Sequence, residues 1–305
     1  CCLMAVTTRT PPMRGSNREG MVIPHRRRGQ IIRLTLLILG CIFALYPVLL
    51  ILGASFDPRD TLSGSRIIPE NPSLVNYQAL FSGTQTPILR WLLNSIFVSS
   101  VSTVVVLTLT VLAAYSLSRF CFSGRRTTLL ATLVIQVFPI VVSLVAFYLL
   151  LDQISDIIPA LGLNTLGGLI LLYCGGALGA NAFLMKGYFD TIPRDIDESA
   201  KVDGATEWQT FAWIILPLIR PILAVVGILT FIGTFNDYLI PRVLLRDTEV
   251  FTLAVGLTTY IGNDFSQDWG VFTAGAIIGV LPITIAFIVL QTQIIGGLSQ
   301  GAVKG

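Results

Sequence analysis

The chain has 305 residues, of which 53% are hydrophobic and only 12% charged, and its mean hydropathy is +0.78. Soluble domains carry roughly a quarter charged residues, so a water-soluble globular protein is excluded and an all-α membrane protein is expected. The net charge of +3 is too small for a nucleic-acid-binding surface.

Residues 1–30 are polar and Arg-containing and read as a basic cytoplasmic tail. They lack the small-residue cleavage pattern that should follow an apolar stretch, so no cleaved signal peptide is expected. Met21, just before the basic run, is a candidate start. Six stretches then approach the apolar length of about 20 residues that a bilayer demands. They lie near 31–55, 89–117, 128–151, 165–187, 215–240 and 270–295. Helices are expected, because backbone in lipid must satisfy its own hydrogen bonds. With the N-terminus inside, fifteen Lys and Arg fall on the inner side. Five fall outside: Arg59, Arg66, Arg90, Arg242 and Arg246. That bias predicts N-in/C-in. The permease domain is thus expected over 31–295, with a short cytoplasmic tail over 296–305. Two outer loops, 56–88 and 241–269, are long. They are either contacts for an external partner or ordinary connectors.

Residue counts exclude several chemistries. A phosphate-binding loop of the Walker type needs Gly-Lys-Ser/Thr. The only lysines are Lys186, Lys201 and Lys304, followed by Gly, Val and Gly. The single histidine, His25, lies in the basic tail, which removes a His-centred triad. The five cysteines form no Cys-x-x-Cys pair, so neither a disulfide framework nor a metal site is implied. No catalytic residue is expected. The spans carry almost no ionisable groups at depth, which disfavours an ion-coupled carrier. Asn94, Gln136, Asn181 and Asn236 interrupt the spans. Such residues line a pathway or join helices.

The loop over 187–217 is the most polar internal segment. Pro193 fits the first turn of a helix. Asp195, Asp197 and Glu198 follow where carboxylates suit the positive end of a helix dipole. Gly204 suits a left-handed stop. Thr206 then opens a second helix, with Gln209 completing a capping box. A short helix, a Gly turn and a longer helix entering the fifth span are therefore expected. Ala200, Val202 and Ala205 would present a small apolar face, and Glu198 a charge, to a partner's cleft.

This loop reads Glu198-Ser199-Ala200, three residues, Gly204, nine residues, Ile214-Ile215-Leu216-Pro217. It resembles the EAA loop of bacterial ABC import permeases, with Ser199 for Ala as the one departure. Residues from about 35 to 305 resemble the carbohydrate-uptake, maltose/maltodextrin-type branch, in particular its smaller permeases. The runs Gln136-Val137-Phe138-Pro139, Asp203-Gly204-Ala205-Thr206, Thr252-Leu253-Ala254-Val255-Gly256-Leu257 and the Gly-rich terminus carry this likeness.

The resemblance implies a heterodimer with a second permease, two ATPase subunits holding ATP and Mg, and an extracytoplasmic sugar-binding protein. The whole is embedded in membrane lipid, with no cofactor in this chain. It implies that Glu198, Ser199, Ala200, Gly204, Ile214, Leu216 and Pro217 couple to an ATPase. The tail residues Gly301, Val303 and Lys304 would reach between the ATPases. Tyr260, Gly262 and Asn263 would meet the binding protein. In such systems the partner permease supplies most sugar contacts in the membrane, so none is assigned from the sequence. Maltose or malto-oligosaccharides are the implied cargo. Trehalose, cyclodextrin or, outside this class, ion-coupled transport are the alternatives.

Overall fold

A computed structural model describes residues 25–59, 67–82, 87–262 and 268–302. Among them every regular element is helical. The chain divides into two compact units, residues 1–49 and 50–305. The first contains most of α1, His25–Ser55, which carries Pro47 in its interior. Phe43 and its apolar neighbours on this helix are exposed.

The second unit starts from a small cap. Asn76 of α2 (Val75–Ser82) donates its side-chain amide to the carbonyls of Ser55 and Asp57, at 3.1 and 2.9 Å. The long helix α3, Ile88–Arg119, follows and packs along both α6 and α10, defined below. α4 (Arg125–Gln136) and α5 (Ile140–Ile157) come next. One continuous span was expected over 128–151. The chain instead breaks at Val137–Pro139, because Pro139 has no N–H to give and disfavours helical backbone before it. The stretch long and apolar enough to cross a membrane here is Ile140–Ile157.

α6, Leu166–Phe189, is bent by 46° between Gly176 and Gly179. Its start is fixed by Thr165, whose hydroxyl accepts from the Gly168 N–H. After α7 (Asp195–Val202) and α8 (Glu207–Gln209), the chain forms a π-helical run, Thr210–Ile215, and then α9, Leu216–Leu218. α10, Arg220–Phe235, leaves this segment at 73°. The expected fifth span over 215–240 is therefore straight only from Arg220. Pro217 and Pro221 remove helical N–H donors on either side of the turn. α11 (Leu239–Leu244), α12 (Leu253–Leu257) and α13 (Trp269–Ala302, with Pro282 inside) complete the chain. Among the described residues, four helices are long and apolar enough to span a membrane, or up to six when each bent pair counts as one span.

Two hydrophobic clusters hold the second unit. One centres on Trp91, Leu80, Leu169, Leu244 and Leu253. Its Trp91 is fully buried and donates from Nε1 to the Thr248 carbonyl at 2.8 Å. The other joins Tyr115 and Val111 of α3 to Met185 and Phe189 of α6, and to Phe211, Ile215 and Ile219 of the bent segment.

The α12 backbone approaches Trp91 so closely that a Cβ at Gly256 would lie 2.2 Å from the indole ring. Neither side can yield cheaply, since Trp91 is walled in. Gly256→Ala is expected to cost about 1–3 kcal/mol by overpacking, read as a lower melting temperature of the detergent-purified protein. An unchanged melting temperature would contradict this packing.

Candidate functional site: a clamped loop between two membrane helices

The loop between α6 and α10 is built by local rules. Asp195, Asp197 and Glu198 occupy the first turn of α7, and Lys201 its last. Gly204 adopts φ +83°, a conformation that side chains strain. Its N–H donates to the Lys201 carbonyl at 3.0 Å, and the Ala205 N–H to the Ala200 carbonyl at 2.9 Å. This is a complete Schellman stop. The capping box then forms as expected: Thr206 N–H donates to Gln209 Oε1 at 2.8 Å, and Gln209 N–H to Thr206 Oγ1 at 3.3 Å. Lys201 and Glu207 close over the turn at 2.6 Å. That hydrogen bond holds the Lys201 ammonium above its usual pKa.

The loop is fastened to the end of α3. Arg119 Nε lies 3.1 Å from Asp197 Oδ2, and both side chains are about nine-tenths buried. Arg119 also donates to the Ile192 carbonyl at 3.2 Å, and Arg194 returns a bond to the Ser118 carbonyl at 3.0 Å. Ser118 Oγ donates to Asp190 Oδ1 at 2.7 Å, while Lys186 pairs with the other oxygen of that carboxylate. Burial opposes the charge on Asp190, but the bonds from Lys186 and Ser118 and the charges of Lys186 and Arg125 outweigh it and hold its pKa low. The Arg119–Asp197 contact is an ion pair off the hydrogen-bond line, and neither Asp197 oxygen accepts a directed bond within the protein. A cavity of about 140 Å³ adjoins it, lined by Tyr115, Arg194, Glu198, Lys201 and Glu207. It is polar and large enough for water to complete the carboxylate's bonding. Tyr115 packs in a tilted arrangement against Phe211, with ring centroids 4.8 Å apart.

The clamp decides which face of α7 is free. Asp197 and Ala200 turn inward and are buried. Asp195, Glu198, Ser199 and Val202 are exposed, Val202 at 88%. The expected apolar face of Ala200, Val202 and Ala205 is thus corrected: Ala200 serves this chain's own packing and Val202 points away from it. Ile214 and Leu216 are half-buried and Pro217 is exposed, whereas Ile215 between them is fully buried in the aromatic cluster. Sequence patterns did not reveal the role of Arg119, which counted there only as an inner-side cation. The usable signal was a lone Arg closing a long apolar helix in a chain with one acid-rich loop.

The other expected contact residues belong to other segments of the chain. Gly301 falls in α13, which runs past the expected span end, while Val303 and Lys304 lie outside the described residues. Tyr260 ends a short 3₁₀ turn and packs against Trp91, with centroids 6.4 Å apart. Gly262 is exposed beyond it, and Asn263 lies outside the described residues. Asn94 joins helix to loop, donating to the Glu249 and Phe251 carbonyls at 2.9 Å each.

This combination defines a class. Residues 106–294 match the family described as "Binding-protein-dependent transport system inner membrane component". The maltose/maltodextrin transport system permease protein MalG of Vibrio vulnificus (strain YJ016) is 42% identical over 274 residues, 86% of this chain and 91% of that protein. The proteins of the same name from Photorhabdus laumondii and Escherichia coli (strain K12) are 40% and 39% identical, each covering 93% of this chain and 99% of the relative. A crystal structure of a bacterial ABC transporter involved in the import of the acidic polysaccharide alginate superposes with a TM-score of 0.73 at 25% identity. It covers 90% of this chain and 99% of that one. The chain belongs to the binding-protein-dependent transport system inner membrane component family, the ABC-importer permeases, and is a multi-pass protein of the cell membrane. Within that family its likeness is to the maltose/maltodextrin-type permeases.

Removing one partner of a buried ion pair strands the other charge and costs about 3–5 kcal/mol, whereas replacing both with apolar groups is often tolerated. Asp197→Ala is therefore expected to destabilise the loop strongly, and Arg119→Met with Asp197→Leu to recover most of the loss. Limited proteolysis between α6 and α10 checks this. Equal protease resistance in the single variant and the wild type would contradict the clamp.

Proposed function

We propose that this chain is the smaller permease subunit of an ATP-driven sugar importer. It has six spans with both termini inside, counting each bent pair as one crossing. It forms the translocation pathway with a second permease, and two ATPase subunits supply the energy. An extracytoplasmic binding protein delivers a neutral sugar, maltose or malto-oligosaccharides before trehalose or cyclodextrin. ATP and Mg belong to the ATPases, and this chain performs no covalent chemistry.

The observation that carries the reading is the free acidic face of α7 on a helix that is otherwise clamped. A lone solvated helix needs no buried ion pair beneath it. A helix that receives force does, because a lever transmits only what its pivot resists. Asp195 and Glu198 suit a cleft with basic walls, and Val202 supplies the apolar contact between them. The similarity to maltose/maltodextrin permeases over most of the chain supports the cargo class. In this mechanism ATP binding draws the ATPases together. Each carries its α7-type helix, α3 follows through Arg119–Asp197, and the pathway changes the side to which it opens.

Two variants test the docking. Glu198→Lys should weaken co-purification of the ATPase by charge reversal. Undiminished recovery would argue against this face. Gly204→Pro removes the N–H that stops α7 and cannot adopt its positive φ. It should leave ATP hydrolysis running while sugar uptake falls. Uptake at the wild-type rate would sink the lever.

A further inference from the structure

The membrane helices also border a largely apolar cavity that holds a few polar groups, remote from the loop. A cavity of about 360 Å³ lies between α5, α6 and α10. Aliphatic side chains and Phe147 line most of it, and Tyr173, Asn181, Thr230, Thr234 and Asp237 supply its polar groups. It opens beside the bend of α6, where a Cβ added at Gly175 or Gly176 would meet nothing within 4 Å. Broken helices inside a membrane are tolerated where they line a polar cavity, and solute sites gather at such breaks.

The polar groups are held but not used up. Tyr173 donates its hydroxyl to Asp237 Oδ2 at 2.9 Å, and Asp237 Oδ1 accepts the Leu239 N–H at 3.0 Å. The carboxylate keeps further lone pairs. Asn181 donates to Thr230 Oγ1 at 3.3 Å, which leaves its carbonyl oxygen and second amide hydrogen available. Thr230 accepts there and retains its own hydroxyl hydrogen as a donor. The cavity therefore offers both donors and acceptors, beside the Phe147 and Tyr173 rings. Another cavity, about 380 Å³ between α3, α10 and α13, is lined chiefly by aliphatic side chains such as Val104, Leu107, Leu223 and Leu290. It suits lipid tails or a partner helix, not a polar solute.

From this geometry we infer that the cavity between α5, α6 and α10 is a neutral-carbohydrate contact site contributed by this chain. It rests on the sugar-importer reading. Sugar hydroxyls donate and accept at once, which matches the Asn181–Thr230 pair and the Tyr173–Asp237 pair. Among the described lining residues Asp237 is the one acid and none is Lys or Arg, so the wall has no cation to pair with an acidic saccharide. Asn181 and Thr230 set the polar contact, and the small residues at the bend leave room for the ring.

The test uses the complete transporter, with its second permease, ATPases and binding protein, in proteoliposomes with maltotriose as the probe. Thr230→Val combined with Asn181→Leu should lower the sugar moved per ATP hydrolysed by about tenfold, the scale of one or two lost hydrogen bonds. Thr230→Ser, which keeps the hydroxyl, should stay close to wild type. If the polar residues merely join helices, the double variant will assemble poorly yet move wild-type amounts of sugar per ATP, and the site is overturned. Equal transport at equal assembly overturns it as well. A wild-type transporter that moves no maltotriose defeats the importer reading itself, a result distinct from failure of the site.

Discussion

One buried ion pair ties the polar and apolar halves of this molecule together. Arg119 ends a 32-residue membrane helix and Asp197 sits in the first turn of an eight-residue loop helix. Taking two charges out of water is expensive, and their geometry here is not ideal. Such a pair adds little net stability. It fixes position, since any displacement of α7 from α3 would leave a charge buried alone. The bonds from Arg119 to Ile192, Arg194 to Ser118 and Ser118 to Asp190 extend the same restraint along the loop. The loop is thereby made an extension of α3, while its outward face remains free.

The membrane part is, by contrast, deliberately interrupted. Pro139 divides α4 from α5, glycines bend α6, and a π-helical run between Thr210 and Ile215 leads into the 73° turn before α10. π-helical turns and broken helices concentrate where a protein works. A stiff connection at one end and breaks in three helical segments form a coherent pair of features. In the proposed coupling, motion delivered at the loop has a rigid path into α3 and hinges in the helices around it. The α6 bend borders the cavity that carries Asn181, Thr230 and Asp237, the contact site proposed for the sugar.

Much of this was legible in the sequence because it follows local rules. Apolar length located the helices. Gly204 announced a left-handed stop, and Thr206 with Gln209 a capping box, since each depends on residues a few positions apart. The break at Pro139 was visible in principle, but a continuous apolar stretch outweighed it. What was not legible is what joins distant segments. Nothing in the loop says that Asp197 is buried while Glu198 is exposed, or that Ala200 packs inward while Val202 does not. That choice is made by Arg119, which lies far away in the chain. Asn94 and Asn181 likewise look alike in sequence. One proves to bind loop carbonyls, and the other faces a cavity.

The central claim is that α7 and α3 move as one body. Spin labels at Ser199 on α7 and Leu112 on α3, in the assembled transporter, measure it directly. The distance between them should be the same with and without bound ATP, while the distance from Ser199 to the matching loop of the second permease shortens. A Ser199–Leu112 distance that changes as much as the distance between the loops would contradict the account.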